Sequence, residues 1–201
     1  MNMMAQIFIA AGQVLLVAVL LTLLAGRLVP DMRKRGIAVF VLLVLCMLVP
    51  VNGLTVAQWL RSVVGDLSVI TFVILLNILL GRLKFINIIN KLDLTVLLSG
   101  IALVGVVFYP LALGLGTLDP YRFGYAPVGL SVLLALLSAA SWLRGLRDLA
   151  VVLVLPLLAF NLHLLESANL WDYLLDPVLM IYAVVQSAAY IRRSRFSKQG
   201  A

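Results

Sequence analysis

The chain has 201 residues, of which 64% are hydrophobic and 11% are charged, and its formal net charge is +7 at pH 7. About 25% of the residues are charged in an average soluble domain, and a soluble protein of this size exposes too much surface to hide so many apolar side chains. The composition therefore argues against a soluble enzyme, a disordered tail and a nucleic-acid-binding domain, and predicts an all-α polytopic integral membrane protein.

Apolar runs divide the chain at intervals suited to membrane crossing, since a spanning helix needs about 20 mostly apolar residues. They predict about seven transmembrane helices in one helical domain that covers 1–201. The runs are 5–26, 37–51, 63–81, 94–116, 127–143, 149–165 and 177–191. The first run is too long for the core of a cleaved signal peptide, and a basic cluster follows it. The second run is short for a full crossing and contains the single cysteine, Cys46.

The segment after the second run is predicted to begin with a turn and continue as an amphipathic helix. Asn52-Gly53 is a turn signal. Polar side chains then recur at helical spacing from Thr55 to Asp66, with apolar side chains opposite. This pattern indicates a segment that lies in the membrane interface or leads into the third span. Asp66 is placed to pair with Arg61, five residues earlier.

Polar and small residues inside the spans have a structural interpretation and a functional one. Asn77 and Asn161 are expected to join helices through hydrogen bonds, with a transport pathway as the alternative. The fourth span contains glycines at 100, 105, 114 and 116, and the fifth contains the small residues 138–141. Such residues let helices approach closely, either within the bundle or against another subunit.

The connection between the fourth and fifth spans holds a candidate anion-binding group. Arg122 lies between Tyr121 and Tyr125, and these side chains are candidates for binding a lipid phosphate or another anion. Asp119-Pro120 at its start resembles Asp176-Pro177 at the start of the last span. Helix initiation, with Asp at N-cap and Pro at N1, explains both pairs, and a duplicated three-helix unit is the alternative.

The segment before the last span carries the strongest concentration of polar side chains. If it is helical, one face holds Glu166, Asn169, Asp172, Tyr173 and Asp176, and His163 shares a face with Glu166. The group predicts a solvated acidic rim, a binding site for a partner or ligand, or a catalytic site in which a carboxylate or His163 acts as general base. The spacing matches no metal-binding motif, so a divalent metal or another cofactor stays unassigned.

The basic residues predict the orientation of the chain. With the N-terminus outside and the C-terminus in the cytoplasm, 13 of the 15 basic residues fall on the inner side, and only Arg61 and Arg122 fall outside. The candidate groups described above then lie on the outer face. Compact connections and an inner positive bias are typical of a bacterial cytoplasmic membrane protein.

Three functional classes fit this pattern. The first is a non-catalytic accessory subunit of a complex that handles cell-envelope lipids or glycans, because no connection is long enough for a catalytic domain. The second is a small intramembrane enzyme that acts on a lipid or lipid-linked substrate at the outer interface. The third is a small transporter or channel. The expected partners are membrane lipids and another membrane protein, and nucleic acid is not expected.

Overall fold

The computed structural model describes residues 3–25, 41 and 44–199, and these residues form a helical bundle with one short hairpin. The helices, numbered in chain order, are α1 (Met3–Ala25), α2 (Val56–Val64), α3 (Val69–Arg82), α4 (Lys91–Ala112), α5 (Val128–Leu143), α6 (Arg147–Asn161), α7 (Trp171–Leu174) and α8 (Pro177–Gln199). A short 3-10 helix spans Pro120–Gly124. The predicted all-α class is confirmed.

The second predicted span, 37–51, does not continue as a helix to its end. Residues 44–47 are helical, but Pro50–Val51 forms strand β1, which pairs antiparallel with β2 (Leu54–Thr55). The predicted turn at Asn52-Gly53 connects them, with φ of 52° and 83°. Two successive left-handed residues suit a tight hairpin. Residues 37–40 lie outside the described part of the chain.

The third predicted span is broken, and the prediction of one continuous helix over 63–81 is wrong. Helix α2 ends at Gly65, which has a φ of 81°, and α3 begins after Ser68, whose side chain accepts a hydrogen bond from the Thr71 amide. The two helix axes differ in direction by 119°. The amphipathic segment is therefore a separate helix, started by the capping box of Thr55 and Gln58.

The fourth and sixth predicted spans run too far toward their C-termini. Helix α4 ends at Ala112 rather than at 116, and Gly114 follows with a φ of 87°. Helix α6 ends at Asn161 rather than at 165, and His163 adopts a φ of 50°. Since a left-handed residue cannot continue a right-handed helix, His163 and Glu166 do not share a helix face as predicted.

The predicted starts of the fifth and seventh spans agree closely with the structure. Helix α5 covers Val128–Leu143, against a predicted range of 127–143. Helix α8 starts at Pro177 as predicted but continues to Gln199 instead of 191. Between α6 and α8 only Trp171–Leu174 is helical, so the proposed helical stripe from Glu166 to Asp176 is not a feature of one helix.

Hydrogen bonds group the helix ends at two opposite ends of the bundle. At one end Asp148 accepts from the backbone and side chain of Asn90, and Asp93 accepts from the Leu149 amide, so α4 and α6 start together. Asn77 accepts from the amides of residues 88 and 89 and so joins α3 to the connection before α4. Asn161 donates to the Leu157 carbonyl of its own helix, so these bonds do not join two helices as predicted. We call the end of the bundle at which α4 and α6 start the basic end, defined by Arg82, Lys84, Lys91, Arg144 and Arg147. The acidic end is defined by Asp66, Asp119, Glu166, Asp172 and Asp176.

The bundle is held by three extensive helix pairs. Helix α5 packs against α6, α4 against α8, and α1 against α3. At the acidic end the core includes Leu170, Tyr173 and Ala183, which are fully buried. Within the described residues, Met3–Leu23 and Lys91–Ala112 are long and apolar enough to cross a membrane, and α2 with α3 is a third candidate if the bent pair is one span.

Candidate functional site

Two irregular segments fold against each other at the acidic end and form what we call the cap, defined as residues 119–125 and 164–176. Backbone and side-chain bonds join them: the Leu170 amide donates to the Gly124 carbonyl at 3.0 Å, and the Trp171 indole donates to the Pro120 carbonyl at 2.9 Å. These bonds satisfy backbone groups that no regular element pairs. The cap is therefore built from segments about 50 positions apart in sequence.

Asn169 lies at the centre of the cap and is completely buried. Its side-chain nitrogen donates to the Tyr121 carbonyl at 3.0 Å, and its side-chain oxygen accepts from the Trp171 amide at 2.9 Å. The close approach of the two segments depends on Gly124, because a Cβ atom there would lie 1.7 Å from the Asn169 oxygen. Asn169 thus holds the two segments of the cap together.

Asp172 accepts hydrogen bonds from both segments of the cap. The Tyr121 hydroxyl donates to its two oxygens at 3.1 and 2.9 Å, and the Ser167 hydroxyl donates at 2.5 Å. Burial, and then the hydrogen bond to Asp172, raise the pKa of Tyr121 above its ordinary range, so this phenol stays protonated and donates. The ring of Tyr125 packs edge-on against Tyr121 at 5.7 Å between centroids.

Asp176 is 4% exposed and connects the start of α8 to the start of α3. One of its oxygens caps α8 by accepting from the Leu179 amide at 2.9 Å. The other accepts from the Ser68 amide at 2.8 Å and from the Thr71 hydroxyl. The expectation that Asp176 initiates the last helix is confirmed, and a second role in joining two helices appears with it.

Arg61 binds two of the remaining carboxylates. It contacts Asp66 through two hydrogen bonds of 2.5 and 2.9 Å, and it reaches Glu166 at 2.6 Å. The hydrogen bond to Asp66 is the main cause that raises the pKa of Arg61. The predicted pair of Arg61 and Asp66 is confirmed. Its extension to Glu166 anchors the amphipathic helix α2 to the cap.

Tyr173 stabilises the second segment of the cap through its hydroxyl group. Its hydroxyl donates to the Leu165 carbonyl at 3.0 Å and accepts from the Leu165 amide at 3.2 Å. Burial raises the pKa of this hydroxyl, which stays protonated. Phe160 packs edge-on against the ring at 5.2 Å. The Tyr173 side chain therefore holds the segment that follows α6 in place.

The other predicted site residues lie apart from this network. Arg122 is exposed, and its guanidinium forms no ion pair within the described residues. Asp119 is exposed and caps the 3-10 helix by accepting from the Tyr121 amide at 3.0 Å. His163 lines a separate cavity of about 450 Å³ together with Glu166. The structure therefore brings Tyr121 and Tyr125 together but leaves Arg122 outside the cap contacts.

A cavity of about 470 Å³ opens between the cap and the ends of α2, α4 and α8. We call it the cap cavity. Its lining combines carboxylates with aromatic rings: Asp66, Asp172, Asp176, Phe108, Tyr109 and Trp171. Phe108 and Trp171 contact each other with centroids 4.5 Å apart. Apolar walls with few polar groups are typical of small-molecule sites.

Three contributors to the site were missed from the sequence. Ser68 had a visible signal, because serine directly before an apolar run is a preferred N-cap residue. Thr71 follows in the first turn of the same helix and hydrogen-bonds to Ser68. Ser167 had none, since its contact with Asp172 depends on the irregular path of the cap. Hydroxyl donors therefore complete the acidic group that the carboxylate pattern had revealed.

Neither the arrangement of possible metal ligands nor comparison with known proteins assigns a function to the site. Among the described residues, no group of three or more His, Cys, Asp or Glu side chains is arranged to hold a metal ion. No protein-family model, curated protein or solved structure matches the chain significantly. The class defined by fold and site is an all-α protein with two or three helices suited to membrane crossing and a hydrogen-bonded cap at one end.

Proposed function

We propose that the chain is a non-catalytic accessory subunit of a membrane complex that handles cell-envelope lipids or glycans. The observation that supports this proposal is the use of the acidic-end carboxylates within the protein. Asp66 and Glu166 bind Arg61, Asp172 binds Tyr121 and Ser167, and Asp176 caps α8. Three of these carboxylates also line the cap cavity, but each already accepts hydrogen bonds that hold the helices and the cap together, which favours a structural role over that of a general base.

The proposal includes seven crossings, with the acidic end outside and the basic end in the cytoplasm of a bacterial cell. The positive-inside rule supports the orientation, and the grouping of helix starts at opposite ends supports the alternation of α3, α4, α5, α6 and α8. Helices α5 and α6 have 16 and 15 residues. At 1.5 Å per residue they cover only about 22–24 Å, so they require local thinning of the bilayer.

The orientation predicts opposite labelling of two exposed positions. On a Cys46→Ser background, Leu118→Cys places a thiol at the acidic end, where Leu118 is 69% exposed, and Arg144→Cys places one at the basic end. An impermeant thiol reagent should label position 118 in intact cells, and position 144 only after permeabilisation. Labelling of position 144 with protection of 118 would reverse the orientation.

The partner is proposed to pack in the bilayer against the exposed faces of α4 and α5. Leu103 on α4 and Val128 and Leu136 on α5 are 73%, 74% and 64% exposed. A Cβ atom at Gly100 or Gly129 would meet no atom within 4 Å. Small residues on an open helix face permit close helix approach. These faces contact lipid in the isolated chain and offer a docking surface in a complex.

The second candidate function is lipid binding in the cap cavity. The alternative of an intramembrane enzyme at the outer interface would use the same cavity for its lipid substrate. The favouring observation is the combination of Asp66 and Asp172 with Tyr109 and Trp171 around one opening. Aromatic rings beside carboxylates suit a cationic headgroup. In the proposed accessory role, the same cavity contacts a lipid headgroup without reacting with it.

Capture from native membranes in mild detergent tests the accessory role. A tagged chain should retain one partner at fixed stoichiometry, and the partner's lipid or glycan activity should fall when this chain is deleted and return when it is added back. Gly129→Leu should lower partner retention without lowering the melting temperature of the isolated chain, since position 129 faces open space. Full partner activity in the absence of the chain would refute the proposal.

A further inference from the structure

A small cavity between α4 and α8 differs from the cap because most of its polar side chains make no hydrogen bond within the described part of the protein. Its volume is about 180 Å³, and it lies between the first turns of α4 and the middle of α8, toward the basic end. The polar side chains that line it are Thr95, Ser99, Tyr182, Gln186, Ser187, Tyr190 and Arg193. We call it the basic-end cavity.

Most of these polar groups have no partner within the described residues. The Ser187 hydroxyl oxygen is buried and makes no hydrogen bond. The Arg193 guanidinium forms no ion pair there, and no side-chain hydrogen bond is made by Ser99, Gln186 or Tyr190. A buried hydroxyl without a partner costs free energy. The Ser187 oxygen is closed off from the cavity in this rotamer, so its rotation toward a ligand that accepts its hydrogen bond would be stabilising.

The charge of the lining selects the class of ligand. Arg193 supplies one positive charge, and none of the described residues that line the cavity is a carboxylate. The serine, tyrosine and glutamine side chains add neutral hydrogen-bond donors around it. Guanidinium and hydroxyl donors together are the usual partners of phosphate oxygens. The cap cavity has the opposite character, because carboxylates line it.

The size and position of the cavity suit the phosphate group of a membrane lipid. Its volume is about six times the share of one water molecule in the liquid, ~30 Å³. Gln186 and Tyr190 are exposed, so the cavity opens at the protein surface. Ser99 is about 12 Å along the helix axis from Lys91, at 1.5 Å per residue. Basic cavities between membrane helices near the cytoplasmic side bind anionic lipid headgroups.

We propose that the basic-end cavity binds a phosphate group, with Arg193 as the counter-charge and the Ser187 hydroxyl, rotated toward the cavity, as a hydrogen-bond donor. The source of the phosphate is an anionic lipid headgroup or free phosphate, which share this chemistry. The site is distinct from the cap and does not depend on the accessory role proposed above, but its placement near the cytoplasmic side rests on the orientation proposed there.

The test measures the rise in melting temperature of the full chain in neutral detergent on titration with phosphatidylglycerol or with inorganic phosphate. Arg193→Gln and Ser187→Ala should each weaken binding about tenfold, as expected for loss of a charged or buried hydrogen bond. Arg192→Gln is the matched control, because it removes the same charge from the adjacent exposed position, which does not line the cavity.

The Ser187→Ala variant separates ligand binding from a role in folding. Since its hydroxyl has no protein partner, the melting temperature without ligand should be unchanged or higher. A stabilising effect of phosphatidylglycerol alone identifies a lipid site, and an equal effect of inorganic phosphate identifies a free-phosphate site. Equal losses in Arg193→Gln and Arg192→Gln, or no response of the unmodified chain to either ligand, would overturn the proposal.

Discussion

Replacement of Asp176 by alanine is expected to lower the free energy of unfolding by about 2–4 kcal/mol. The variant loses the N-cap of α8 and leaves the Ser68 amide without its acceptor in a buried place, whereas the Thr71 hydroxyl keeps the Ser68 hydroxyl as a partner. An N-cap is worth about 1 kcal/mol, and the unsatisfied buried amide costs about 1–3 kcal/mol. The melting temperature in detergent or nanodiscs, followed by circular dichroism, measures the loss.

Asp119→Ala provides the control, because Asp119 also precedes a proline and caps a helical turn but is exposed. Its loss should cost about 1 kcal/mol or less. Asp176→Asn should fall between the two alanine variants, since asparagine still caps α8 but turns an amide donor toward Ser68 or Thr71. Equal losses for Asp176→Ala and Asp119→Ala would contradict the joining role of Asp176.

Gly124→Ala is expected to displace the cap and destabilise the protein by about 1–3 kcal/mol, the usual cost of overpacking. The new Cβ atom would lie 1.7 Å from the Asn169 oxygen and 2.7 Å from a Trp171 ring carbon. Both neighbours are held by hydrogen bonds to the opposite segment. Trp171 should therefore move, and the change in tryptophan emission should vanish in a Trp171→Phe background.

Gly129→Ala is the matched control for this variant. Gly129 lies in α5, and an added Cβ atom would meet nothing within 4 Å. Alanine favours a helix by about 1 kcal/mol over glycine, so the stability should be equal or higher and the emission unchanged. Similar losses in the two variants would show that the cap does not depend on close contact at Gly124.

Local signals predicted the parts of the fold that local chemistry determines. Asn52-Gly53 forms the expected turn, Asp176 caps the expected helix, and Arg61 pairs with Asp66 across five residues. The range of α5 was also correct to within one residue. In each case the decisive interaction joins residues close in sequence, so spacing alone carries the information.

Long-range contacts determine the parts that the sequence pattern missed. The hydropathy of residues 63–81 predicts an apolar segment, but it does not predict the change of helix direction at Gly65. The segment after α6 has helical spacing of its polar residues, yet it folds irregularly because Asn169 and Trp171 bond to residues about 50 positions earlier. The predicted acidic residues do converge at one end, but through these distant contacts and not along one helix face.

The activity of the isolated chain tests the accessory role most directly. The chain is purified alone into lipid nanodiscs, supplied with the lipid or lipid-linked substrate of the complex captured from native membranes, and assayed for turnover beside that complex. Because its acidic-end carboxylates are bound within the protein, the account predicts turnover by the complex and none by the chain alone. Turnover by the isolated chain that is lost in Asp172→Asn would contradict it.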